Sequence, residues 1–191
     1  MEKKKIKIDS KIIYKKKELD FLSSRLKIMK QFINKNNSYK LIFRATKDGE
    51  LPKDFHEKCD GKDKTITIIE TIEGIKFGGY IDNKWSSNEG WVKDDENCFI
   101  FSLSLKKIYN PIKGESKYYF SKIFGPNFAC FGLRDNLFKK SSWNMQTKEE
   151  ANKYFTHFES DYEINGGELE FQIEELEVFQ IICDEKSIIN T

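Results

Sequence analysis

Apolar and polar residues alternate most regularly over residues 65–81, where Ile66, Ile68 and Ile69 lie among threonines and Phe77, Tyr80 and Ile81 flank two glycines. A side-chain period of two predicts a β-hairpin. With Glu73 and Gly74 as a two-residue turn, Ile72 would face Ile75, Ile68 would face Gly79 and Ile66 would face Ile81. That register gathers the isoleucines on one face, and only Glu70, opposite Phe77, interrupts it.

Over residues 18–34 the period changes. Leu19, Leu22, Leu26, Met29 and Ile33 recur at helical spacing, and Phe21, Ile28 and Phe32 widen the apolar stripe, so an amphipathic helix that docks on the domain is predicted. Before it, residues 3–14 alternate lysine with isoleucine, as an edge strand or an extended arm would. After it, Leu41, Ile42 and Phe43 suit a strand covered on both faces. A short helix follows, with Pro52 in its first turn, Phe55 and Cys59 four apart, and Asp60 and Gly61 closing it.

Residues 80–92 read as a loop carrying Trp85 and Trp91, and residues 97–105 as a half-buried strand with Phe99, Phe101, Leu103 and Leu105 on one face. Residues 109–121 look like a surface excursion, Gly125 and Pro126 like a break before a strand over 128–131, and residues 136–156 like loops anchored by Trp143. The last strand spans 167–181. Its inward parity switches at Glu174 and Glu175, as a β-bulge would make it. Strands outnumber helices, so the expected fold is mainly β (α+β), a two-sheet antiparallel β-sandwich with a few flanking helices.

Charge changes this picture little. The 33 basic and 31 acidic residues nearly balance, but residues 1–17 hold eight lysines, which leaves the remainder net acidic and argues against a nucleic-acid-binding domain. The lysine-rich arm could meet an acidic partner, RNA or an anionic membrane, although a solvated tail is the plainer reading. No secretory signal and no apolar run long enough for a membrane span is evident, so a soluble, intracellular, cytoplasmic protein is expected. Cys59, Cys98, Cys130 and Cys183 are widely spaced, as reduced structural thiols would be.

Candidate chemistry is sparse. His56 and Cys59 could share a helix face, but a second ligand pair at metal spacing is lacking; Ser86, Ser87 or Ser102 would need His56 or His157 close by to act as nucleophiles. No catalytic residue, metal ligand or cofactor is assigned. Asp161, Glu163, Glu168, Glu174, Glu175 and Glu177 form an acidic stretch that could bind a basic partner or a cation, although a solvated face is the plainer reading. The candidate interaction residues are Trp85 and Trp91, which could equally cap the sandwich, with Leu19, Leu22 and Leu26 of the leading helix.

Several short motifs in order resemble the TLDc domain of the oxidation-resistance proteins. They are Leu41 through Gly49, Asp54 through Gly61 with Phe55, His56, Cys59 and Asp60, the run 65–69, Phe77, Gly78, Gly79 and Tyr80, Trp85 with Ser86, residues 98–103, Gly125 with Pro126, and residues 175–179 with Glu177. The resemblance covers residues 39–183, leaving a basic arm (1–17), the helix (18–35) and a tail (184–191). It implies a β-sandwich without an assigned reaction, a link to oxidative-stress resistance, and docking on protein subunits of a large complex, with the vacuolar-type proton-pumping ATPase as leading candidate. The alternatives are a thiol-dependent antioxidant enzyme using Cys59 or Cys98, and a structural component of a cytoskeletal or other large assembly.

Overall fold

In the computed structural model, which describes residues 9–12, 38–134 and 147–182, the longest strand is β10 (Ile173–Ile182). It lies between β1 (Ser38–Arg44) and β2 (Thr65–Thr71), and from β2 the sheet continues through β3 (Lys76–Ile81), β5 (Phe99–Ser102) and β6 (Lys107–Tyr109). A second sheet runs β4 (Gly90–Val92), β7 (Tyr118–Phe120), β8 (Phe124–Phe128) and β9 (Phe131–Arg134). All pairings in both sheets are antiparallel. The fold is thus mainly β, two sheets with few helices, as the alternation predicts. The predicted helix over 18–34, with Leu19, Leu22 and Leu26, lies outside the described residues, as do Trp143 and Cys183.

Between the sheets, Ile69, Phe77, Ile81, Ile100, Leu176 and Val178 meet Tyr118, Phe128, Phe131 and Leu133. The outer face of the larger sheet is buried too. There Ile66, Ile68, Tyr80, Phe99, Phe101, Phe179 and Ile181 form a second apolar cluster that includes Ile12. Residues 97–105 accordingly differ from the half-buried strand expected: Phe99, Ile100, Phe101 and Ser102 are all buried, and the strand stops before Leu105, which is exposed in a turn.

The central hairpin forms one residue out of the predicted register. Ile68 pairs with Gly78 and Ile66 with Tyr80, while Glu70 meets Lys76. The cause is the turn. Thr71 N–H donates to Ile75 O at 3.0 Å and Gly74 N–H to Thr71 O at 2.8 Å, which leaves a three-residue loop closed by Gly74 at φ +80°. One extra loop residue shifts every cross-strand partner. The isoleucines are therefore divided: Ile66 and Ile68 line the outer cluster, Ile69 and Ile81 the inter-sheet core, and Ile72 is exposed.

Gly125 and Pro126 lie inside β8, at a register shift between Phe124 and Asn127, so the expected break is a bulge. Ala129 and Cys130 are the tight turn between β8 and β9 and not a strand interior. The excursion over 109–121 is tied down by Lys117, whose buried ammonium donates to the carbonyls of Ile112 and Glu115. In β10 the expected bulge is present as a register shift between Ile173 and Glu175.

Two short helices, α1 (Ala45–Asp48) and α2 (Pro52–Cys59), pack against β1, with α1 also on β10 and α2 also on β8, and α3 (Lys148–Ala151) packs Ala151 into the core. Pro52 opens α2, and Asp54 Oδ2 accepts from the Leu51 N–H at 3.0 Å, satisfying a donor that the first turn leaves free.

Candidate functional site

Helix α2 projects Phe55 and Cys59 into the core and His56 toward the second sheet. Phe55 stands edge-on to Phe43 and Trp85, with ring centroids 5.8 Å and 5.1 Å away. One turn on, His56 Nδ1 lies 2.7 Å from Asp60 Oδ1, while Nε2 lies 3.0 Å from Ser121 O and 2.9 Å from Phe124 O. The two carbonyls can only accept, and the carboxylate does the same, so all three contacts are hydrogen bonds when the ring carries both protons. Ser87 Oγ donates to the other oxygen of Asp60.

This Ser87, Asp60 and His56 chain has the membership of a hydrolytic triad in the wrong order. In a triad the imidazole stands between hydroxyl and carboxylate and takes the hydroxyl proton. Here the carboxylate stands in the middle, and the far ring nitrogen is spent on backbone carbonyls. The arrangement ties α2 to the 86–88 loop and to the turn between β7 and β8. Ser102 is buried with Oγ accepting from Leu105 N–H, and His157 is exposed elsewhere.

The described thiols are equally withdrawn. Cys59, Cys98 and Cys130 are buried, and burial pushes each thiol up from its ordinary value, with Asp60 adding at Cys59 and Asp95 at Cys98. A thiol held in the protonated form is a poor nucleophile.

The two loop tryptophans part company. Trp85 is 2% exposed, and its Nε1–H donates to Thr65 Oγ1 at 2.8 Å, with Phe120 and Phe128 against the indole. Its backbone pairs with the end of α2, since Gly61 N–H donates to Trp85 O and Trp85 N–H to Lys62 O. It is a core residue, which corrects its reading as an interaction anchor. Trp91 is 54% exposed. It sits directly opposite Tyr119 on the outer face of the smaller sheet, with ring centroids 5.1 Å apart, and Tyr119 continues to Phe124 at 6.1 Å. Exposed Ile123, Lys93 and Lys122 flank this row in sequence. Tyr119 and Phe124 escaped the sequence reading, although Tyr118 to Phe120 has the alternation that would place Tyr119 outward.

The acidic stretch is not a solvated face throughout. Glu163, Glu175 and Glu177 are buried. Glu163 accepts from Lys107 Nζ at 2.6 Å, from Tyr109 O–H at 2.9 Å and from the Ser160 N–H at 3.0 Å. Burial opposes its charge, but these donors outweigh it and hold the carboxyl below the usual range. Glu177 accepts from Arg44 Nε at 2.8 Å, Lys11 N–H at 2.8 Å and Ser10 Oγ at 2.5 Å. Residues 9–12 of the expected arm are thereby fixed to the outer face of the larger sheet.

The glycine pair between these features is a packing device. A Cβ on Gly79 would stand 2.3 Å from the Phe128 ring, and one on Gly78 would stand 2.0 Å from Thr67 O. Gly79 therefore sets the approach of the two sheets, and Gly78 that of β2.

The family model described as the TLDc domain matches residues 7–182, most of the chain and more than the 39–183 read from the motifs. Among curated proteins none matches.

Proposed function

The chain belongs to the TLDc domain family, and from that membership we propose that it is a non-catalytic interaction module that docks on a large protein assembly in the cytoplasm. The leading candidate is the peripheral sector of the vacuolar-type proton-pumping ATPase, with resistance to oxidative stress as the downstream effect. The observation that carries the docking reading is Trp91, more than half exposed and in tilted ring contact with Tyr119 across an otherwise well-packed sheet. An exposed indole braced by a second ring offers a large rigid contact at little entropic cost, the kind of side chain that concentrates binding energy. The withdrawn thiols and the inverted order of Ser87, Asp60 and His56 support the non-catalytic part of the reading.

The test is capture of purified peripheral-sector subunits by the immobilised full chain and by its Trp91→Ala variant. Binding by the parent and a loss of about thirtyfold or more in the variant is expected, as for a hot-spot aromatic. No binding by the parent would remove the proton pump as partner. Equal binding by both proteins would remove the Trp91 surface.

A further inference from the structure

Segment 9–12 is held by contacts that read both its backbone and its side chains. Arg44 Nη2 donates to Asp9 O at 3.1 Å, the Lys11 N–H to Glu177 at 2.8 Å, and Lys76 Nζ to Ile12 O at 2.7 Å. The Ile12 side chain is fully buried in the outer apolar cluster. Ser10 is the pivot of this arrangement. Its Oγ donates to Glu177 Oε2 at 2.5 Å and accepts the Ile12 N–H at 3.1 Å, so one hydroxyl both engages the buried carboxylate and shapes the turn into Ile12.

We propose that Ser10 is a phosphorylation site and that its modification releases segment 9–12 from the sheet. A protein kinase with a nucleoside triphosphate supplies the phosphoryl group. The Ser10 Oγ–P bond forms, the bond between the γ-phosphorus and the β–γ bridging oxygen breaks, the nucleoside diphosphate leaves and the hydroxyl proton passes to solvent. Lys5 and Lys7 stand five and three residues before Ser10, a basic approach suited to kinases with acidic substrate grooves.

Modification removes the donor that Glu177 now receives and sets a group of charge near −2 against it. The groups around Ser10 decide which way this acts. Glu177, Glu175 and Asp9 are negative, and Arg44, Lys11 and, at the Ile12 end of the segment, Lys76 positive. All three cations are already engaged: Arg44 with Glu177 and Asp9, Lys11 with Glu175 and Thr46 Oγ1, Lys76 with Ile12 O and Glu70. Glu177 has no exposed surface through which solvent could relieve the repulsion. A released segment exposes Ile12 and leaves Arg44 as the cation still paired with Glu177.

The experiment uses the full chain, phosphorylated with a purified lysine/arginine-directed serine kinase and ATP, with the site assigned by mass spectrometry. Hydrogen exchange of the Lys11 amide, the donor to Glu177, reports release; about tenfold faster exchange after phosphorylation is expected from loss of one charge-assisted hydrogen bond. Slower or unchanged exchange would overturn the proposal, because the phosphate would then be held in place by Arg44 and Lys11. The Ile12→Ser variant, which weakens docking without touching Ser10, is expected to be phosphorylated at Ser10 faster than the parent. An equal rate, or no modification of Ser10 in either protein, would also overturn it.

Discussion

Arg44 and Glu177 face each other as cross-strand partners on β1 and β10, joined by a 2.8 Å bond from Nε to Oε1 with the carboxylate wholly buried. Removing Arg44 strands the Glu177 charge where water cannot reach it, and removing Glu177 leaves the largely buried Arg44 with the exposed Asp9 as its remaining ionic partner. Glu177→Leu is therefore expected to cost about 3–5 kcal/mol. The double variant Arg44→Met with Glu177→Leu should recover much of that loss, since no charge is left unpaired. Urea unfolding of the parent, both single variants and the double variant measures the cycle. A double variant less stable than either single one would show that the pair contributes more than mutual neutralisation.

Gly79 predicts a second loss of stability from a different cause. A methyl group there would overlap Phe128, which is itself packed on Phe131 at 4.9 Å and cannot withdraw freely. Gly79→Ala should cost about 2 kcal/mol by overpacking. Pairing it with Phe128→Leu, which opens space at the same point, should cost less than the two changes summed. The check is the thermal midpoint of the three variants.

These two sites show what the chain made legible and what it hid. Glu177 interrupts the apolar run of Leu176, Val178 and Phe179, and a lone acid in a two-face-buried strand signals a buried partner; nothing local says that the partner is Arg44, 133 residues away. The bulge near Glu175, the opening of α2 at Pro52 and the two-sheet architecture follow from local parity and turn chemistry, so they could be read directly. The hairpin register could not, because two- and three-residue loops differ only in whether Thr71 or Ile72 closes the turn. Trp85 was ambiguous for a similar reason: composition marks a loop tryptophan as an anchor, and only the pairing of its backbone with Gly61 and Lys62 turns the ring inward.

Glu163 should make stability depend on pH in the acid range. Its folded-state pKa is lowered from the ordinary value near 4.3, so its contribution is fully present above that value and is lost as pH falls through the folded one. The gap in urea midpoint between parent and Glu163→Gln should be widest near pH 6–7 and close on acidification below about pH 4. A gap that is constant with pH would mean that the carboxylate charge is not what binds Lys107 and Tyr109 to the 159–163 loop.

Trp85 and Trp91 supply the last prediction, because chemically similar truncations at the two should separate stability from recognition. Trp85→Ala empties a site lined by Phe55, Phe120 and Phe128 and leaves Thr65 without its indole donor. A loss of about 3–5 kcal/mol is expected. Trp91→Ala removes a ring that already faces solvent, so stability should change by about 0.5 kcal/mol or less. Thermal unfolding of both, run beside the capture assay, distinguishes the roles. If Trp91→Ala unfolded as readily as Trp85→Ala, the ring contact with Tyr119 would be part of the sandwich's own stability, and the exposure of Trp91 would no longer argue for a partner.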